Sequence, residues 1–469
     1  MNNTYDFAII GSGVGGGRLA HILSEACLPH GLKGILLEAG HHWKQEDFPF
    51  SELHAASRLY WNGGLEWTTD ARIGLLRGRA LGGTSVVNQA LLSRIEAPIL
   101  EEWIALSRNR EWTLASFEKA YERALGGIAH EPIAERFQNT NAQIFKQGMN
   151  RQSYGWAPVV RAQKDCAVEH GSDCLACLGG CPRGSKQSTL AYGIPEALAL
   201  GLDLKTGYHV DRLERIPGGV KVFGKQNSTT ETVSARKVIL AAGSLGTAGI
   251  LLRSKETARL PALGRKFTCH PQTMTYALYE NPVEAHRGSF QSVHSKDFRF
   301  RRFGYKLENV FAGPVSMAML LPDRGFELRR KMSRFRYFAS IEVCLRDEPT
   351  GRIRLDGKGR PTVHKKLSIG EMKKKKDGLR MVRELFEATE AREIVPCEQA
   401  FGLHLMGGAS LGSDASSSVV NPDYELHDWP QVSVVDSSLF PSASGSNPSL
   451  TIMALAGMAS EKILRELKR

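Results

Sequence analysis

Apolar residues recur along this chain in short runs that end in glycine or a carboxylate. Residues 6–10 read Asp-Phe-Ala-Ile-Ile and lead at once into Gly11-Ser12-Gly13-Val14-Gly15-Gly16. The pattern predicts a short strand over 6–10, a turn, and a helix over 18–27. A second apolar run over 34–37 closes on Glu38. Two later runs share this form: 237–240 ends in Ala241-Ala242-Gly243, and 432–435 ends at Asp436.

Residues 6–38 therefore predict one βαβ unit with the spacing of a dinucleotide-binding turn. Gly11 makes the tight turn, Gly13 lets a pyrophosphate approach the backbone, and Gly16 lets helix and strand pack closely. The helix N-terminus offers free N–H groups and its positive dipole end to phosphate. Glu38 is placed to accept hydrogen bonds from ribose hydroxyls. A second glycine turn, Arg77-Gly78-Arg79-Ala80-Leu81-Gly82-Gly83-Thr84-Ser85-Val86-Val87-Asn88, lies far from the first. Strand pieces separated by long insertions suit an extended FAD better than a contiguous NAD domain.

Composition narrows the class. At 469 residues the chain exceeds one compact core and predicts two large lobes. Its 47 glycines gather in motifs rather than linkers. The formal charge of +12 includes basic runs at 299–302, 329–331 and 373–376, but no nucleic-acid motif accompanies them. No signal segment and no apolar stretch of spanning length is visible, so the expectation is a cytoplasmic protein. Residues 310–321 are strongly apolar and precede an arginine-rich segment, 324–336. This predicts a buried strand followed by an exposed basic helix, with peripheral contact at an anionic membrane as the alternative.

These segments occur in the order found in the glucose–methanol–choline (GMC) oxidoreductase family, which the sequence resembles nearly end to end. The resemblance rests on the N-terminal fingerprint, the 78–83 loop with Asn88, the Ala241-Ala242-Gly243 strand end, and Gly264-Arg265 followed by His270-Pro271. Its most specific part is His404-Leu405-Met406-Gly407-Gly408, then Asp436 to Pro441, then Asn447-Pro448-Ser449. The latter forms, with Gly184 to Thr189, resemble the sterol-oxidase and long-chain-alcohol-oxidase branch. The implied fold is α/β: a Rossmann-like FAD-binding lobe with a parallel sheet, over 1–95, 195–275 and 395–469. A substrate lobe with an antiparallel sheet is implied over 96–194 and 276–394. The implied cofactor contacts are Gly11, Gly13, Gly16, Glu38, Arg79, Gly82, Gly83, Asn88, Val210, Ala242, Gly243, Asp436 and Pro448.

Alcohol oxidation removes a hydroxyl proton and a carbon-bound hydride; flavin takes the hydride and the protein must take the proton. His404 is the expected base, since neutral imidazole is well populated at physiological pH. Gly407 and Gly408 are expected to let the chain lie against the flavin. His270 resembles a family position near the cofactor and is given no role in the chemistry. Pro448 and Asn447 open a helix over 449–467, with Asn447 as a plain N-cap, as a holder of the substrate oxygen opposite His404, or as both. The helix dipole is expected to stabilise negative charge on the reduced flavin.

Cys166, Cys174, Cys177 and Cys181 fall within one short segment. Cys-x2-Cys-x3-Cys-Pro resembles half of a ferredoxin ligand run, so an iron–sulfur cluster, a zinc site and metal-free cysteines all stay open. The leading expectation is oxidation of a bulky apolar alcohol such as a sterol or long-chain alcohol. Two others compete with it: light-driven fatty-acid decarboxylation, and an iron–sulfur flavin dehydrogenase or carrier passing electrons to a partner protein or quinone.

Overall fold

In a computed structural model, residues 4–49, 51–166 and 177–468 are described. The first sheet is built on five parallel strands in the spatial order Trp429–Val434, Thr229–Leu240, Thr4–Ile10, Gly34–Leu37, Asp203–Lys205. The all-apolar runs lie at its centre because both faces are covered there, and Phe7, Ala8, Ile9 and Leu240 are fully buried. Helix Val14–Cys27 packs against helix Ser449–Leu467 over this sheet. An antiparallel flap of Tyr208–Ile216 and Gly219–Gln226 extends from Thr229–Leu240.

The second sheet is mainly antiparallel. Its centre is Gln272–Leu278, Phe338–Leu345 and Tyr305–Asn309, with Val293–Ser295 and Trp156–Pro158 at one end. At the other end Ala400–Gly402 and Ile73–Leu75 pair in parallel. Helix Ile369–Ala388 covers this sheet, beginning in a capping box between Ser368 and Glu371.

Several local expectations are modified. Helices Ala97–Ser107 and Leu114–Leu125, assigned by sequence to the substrate side, bury Leu100, Trp103, Phe117 and Tyr121 in the core of the parallel sheet. Residues 310–321 form no strand. The strand is Tyr305–Asn309, and Pro314 then opens helix Pro314–Leu320, its missing N–H costing nothing at a first helical turn. The basic helix follows as Gly325–Met332. Asn447 does not cap the last helix: Pro448 holds the N-cap position with no side-chain cap, which leaves the Asn447 amide for other partners.

Candidate active site

The first βα turn forms one end of a cavity of about 1750 Å³ that continues past His404 and Asn447 into the second sheet. Gly11 has φ +95°, and a Cβ there would lie 2.5 Å from the Ala241 carbonyl oxygen. A Cβ on Gly16 would lie 1.8 Å from the Gly11 oxygen, whereas one on Gly13 would meet nothing within 4 Å. Two glycines thus permit packing, and the third leaves the cavity open at the helix N-terminus. That geometry suits a pyrophosphate.

Glu38 is buried beside this turn. Its Oε2 accepts from Ser12 N at 2.9 Å and Ser12 Oγ at 2.6 Å, and its Oε1 accepts from Gly40 N at 2.7 Å. Burial raises its pKa, opposed by these hydrogen bonds. The carboxylate already fastens the turn, and Glu38 also lines the cavity. Asp436 likewise accepts from Gly243 N, Thr247 Oγ1 and Ser438 N at 2.6–2.9 Å, joining two strand ends under the cavity.

Of the expected cofactor contacts, Gly11, Gly13, Glu38, Gly83, Asn88, Val210, Ala242, Gly243, Asp436 and Pro448 line the cavity. Gly16, Arg79 and Gly82 stand behind it. Arg79 stacks its guanidinium on Trp61, 4.8 Å from the ring centroid, and Gly82 N donates to Ser12 Oγ. Gly407 and Gly408 are not against the cavity either. Gly407, at φ +77°, is pressed on the Lys266 carbonyl, where a Cβ would lie 2.1 Å from the oxygen. These two glycines serve chain packing, a correction to the expected flavin contact.

His404 and Asn447 come together from distant parts of the chain: Asn447 Nδ2 lies 3.4 Å from His404 Nε2. Behind them is a residue the sequence left without a task. His270 Nδ1 lies 3.1 Å from His404 Nδ1, and His270 Nε2 accepts from Gly445 N at 2.9 Å. His270 has φ +46°, an uncommon backbone state for a residue with a side chain. Asp347 secures it by accepting from the N–H groups of Cys269 and His270, while Lys365 stands 3.2 Å from Asp347. Burial, followed by the nearby Lys306 charge, holds the His404 pKa down to about 4, with Glu308 opposing. His404 is therefore neutral at physiological pH.

The second sheet supplies a polar cluster under Asn447. Register places Lys306 opposite Cys344 and Glu308 opposite Glu342. Lys306 Nζ lies 2.8 Å from Asn447 Oδ1 and 3.1 Å from Glu308. Burial acts to discharge Lys306, but Glu308 foremost outweighs it and leaves the ammonium more firmly protonated than usual. Glu342 lines the cavity; burial first and Glu308 second push its carboxyl up to about 8. This cluster leaves little trace in the sequence. Tyr305-Lys306-Leu307-Glu308 alternates as a half-solvated strand would, yet on its polar face Glu308 is buried and Lys306 half-buried.

Cys174 lies outside the described residues. Among the described ones, Cys166, Cys177 and Cys181 do not form a ligand cluster within 4.8 Å. Arg161 donates to the Cys177 sulfur and Lys186 N to the Cys181 sulfur, each at 3.5 Å. Lys186 Nζ, buried, also donates to the carbonyls of Val86, Asn88 and Cys177, tying this segment to the second glycine turn.

A parallel-sheet dinucleotide lobe, joined through one cavity to an antiparallel sheet with the His404 imidazole just past its strand Ala400–Gly402, defines a flavin oxidoreductase of two-lobed type. Models of the family described as GMC oxidoreductase match residues 56–272 and 347–456. The chain belongs to that family and is an FAD-dependent oxidoreductase. It is 28% identical to an uncharacterized GMC-type oxidoreductase of Mycobacterium tuberculosis, over 96% of this chain and 74% of the relative. It is 26% identical to a long-chain-alcohol oxidase of Arabidopsis thaliana, over 99% of this chain and 68% of the relative. Among solved structures, pyridoxine 4-oxidase from Mesorbium loti superposes with TM-score 0.76 at 16% identity, covering 98% of this chain and 99% of that one.

Proposed function

We propose that this oxidoreductase converts the CH–OH group of a bulky, apolar alcohol, a long-chain alcohol or sterol, into a carbonyl. The reading is carried by one observation: His404 and Asn447 face the same cavity that the dinucleotide turn opens into. FAD, when bound, supplies the acceptor for the carbon-bound hydride. Gly11, Gly13 and the N-terminus of helix Val14–Cys27 would hold its pyrophosphate, and Glu38 its ribose.

The chain's own groups then act on the hydroxyl. Asn447 Nδ2 donates a hydrogen bond to the alcohol oxygen, which gains negative charge as the hydride leaves. His404 Nε2 receives the hydroxyl proton, its neutral form being kept by burial. The outer cavity wall includes Leu75, Phe311, Leu320 and Phe401, which suits an apolar substrate body and excludes water from the reacting oxygen. Similarity to a long-chain-alcohol oxidase supports the same substrate class.

Leu53, Leu65, Trp67, Met319 and Leu403 also line the cavity and are exposed, and Phe326 is exposed on the nearby basic helix. Such a rim suits peripheral contact with a membrane that holds the substrate. No helix among the described residues is long and apolar enough to cross one. The direct test loads the protein with FAD and mixes it anaerobically with alcohols of increasing chain length and with a sterol. Loss of the oxidised flavin absorbance is expected with long-chain or sterol substrates. Equal rates for ethanol and a long-chain alcohol would overturn the substrate class.

A further inference from the structure

The Asn447 amide is held from the side away from His404. Its Oδ1 lies 2.8 Å from Lys306 Nζ and 3.3 Å from Ser93 Oγ, which donates to it. An ammonium has three donors and no acceptor, so only the amide oxygen can face it. Turning the amide over would set NH₂ against NH₃⁺ and send the oxygen toward His404. Lys306 thus decides which end of Asn447 meets the cavity.

We propose that Lys306 is a positioning residue for alcohol oxidation, fixing the Asn447 amide so that its Nδ2 donor and the His404 imidazole converge on one substrate oxygen. The inference rests on the function proposed above and adds a residue to the same site. A cation on Oδ1 also polarises the amide, making its N–H a stronger donor to an oxygen that is gaining negative charge. Lys306 performs this from a strand, a rigid element, with its charge balanced by Glu308 at 3.1 Å. Glu308 Oε2 has no hydrogen-bond partner, so the ion pair is held by one oxygen and leaves the ammonium shared with Asn447.

The same charge reaches the imidazole. His404 is surrounded by His270, Lys306, Glu308 and Cys344, with Glu342 beside Glu308 and Arg346 near His270. Of these, Lys306 contributes to keeping His404 unprotonated, second to burial. Removing the ammonium raises the His404 titration midpoint; lost burial would move it the same way, so Lys306→Arg, which keeps the charge, is the control that separates the two.

The test compares Lys306→Met and Lys306→Arg with the parent, each loaded with FAD and checked for an unchanged flavin spectrum. Removing a donor aimed at developing charge costs about 10²–10³-fold in rate. The Met variant, acting through that donor, is expected to lose about 10-fold or more in anaerobic flavin reduction. The acid limb of its pH profile is expected to move to higher pH. Lys306→Arg keeps charge and donors and is expected to recover most of the rate. A folded, FAD-loaded Met variant with the parent's rate and acid limb overturns the proposal, as does an Arg variant no better than Met. The His404 titration and the Asn447 side-chain amide shifts, read by NMR in FAD-free protein, are expected to change in Lys306→Met. These readouts separate the two claims. If no alcohol reduces the parent, the functional reading fails, and unchanged NMR signals are then what overturns the role of Lys306. Should the Met variant not fold, Lys306→Gln, which keeps polarity without charge, takes its place.

Discussion

His270 Nδ1 stands 3.1 Å from His404 Nδ1, so one imidazole must donate to the other. Two neutral rings carry two protons. Gly445 N–H points at His270 Nε2, and the Asn447 amide lies at His404 Nε2, 2.9 and 3.4 Å away. Both outer contacts cannot be kept, because only one proton fits between the rings. For His404 to act as a base, the shared proton must be its own, and the Gly445 contact gives way. Histidine ¹⁵N spectra of FAD-loaded protein with a substrate-like alcohol are expected to report His404 Nε2 as unprotonated. A protonated Nε2 makes His404 a hydrogen-bond donor to the substrate oxygen and places the base elsewhere.

Gly13 and Gly16 separate cofactor binding from folding. Gly13→Val adds a side chain into open cavity, so the FAD-free protein is expected to keep its melting temperature while FAD retention falls sharply. Gly16→Ala drives a methyl against the Gly11 carbonyl and is expected to destabilise the fold by about 2 kcal/mol or more. Thermal melts and FAD titrations check both, and a Gly13→Val protein that binds FAD normally contradicts the pyrophosphate assignment.

Much of the nucleotide lobe was legible in the sequence because its constraints are local. A turn that needs φ +95° at Gly11 and contact distances below a Cβ radius at Gly16 leaves its mark in neighbouring residues. The last helix was legible for the same reason, through Pro448 and the apolar spacing after it. The cluster of Lys306, Glu308 and Glu342 was not, because strand register across two chain segments makes it. His270 was recognisable only as a family position. Its task depends on a backbone conformation held by Asp347, 77 residues away. Pro314 was a readable helix start inside a segment whose apolar content pointed to a strand.

Glu342 gives the fold a pH dependence. Its ordinary pKa is 4.5, and burial raises it to about 8 in the folded protein. Between those values the unfolded chain has released a proton that the folded chain retains, so stability from this group falls as pH rises through the window. Glu342→Gln removes the ionisation, and its melting temperature is expected to exceed the parent's increasingly from pH 5 to pH 8. Parallel melting curves for the two proteins across that range contradict the assignment.

Asn447→Ala removes the donor aimed at the substrate oxygen. Flavin reduction is expected to slow by about 10²-fold or more. A stopped-flow comparison at saturating alcohol separates this from weakened binding: the loss should stay in the limiting rate rather than in the apparent affinity.

The proton transfer at His404 is tested most directly by stopped-flow, anaerobic reduction of the FAD-loaded His404→Ala variant with a long-chain alcohol. The predicted result is a fall of about 10²–10⁴-fold in the rate of flavin reduction, with the parent's rate dropping only as pH falls toward about 4, where His404 takes up its proton. A variant that reduces its flavin as fast as the parent contradicts the account.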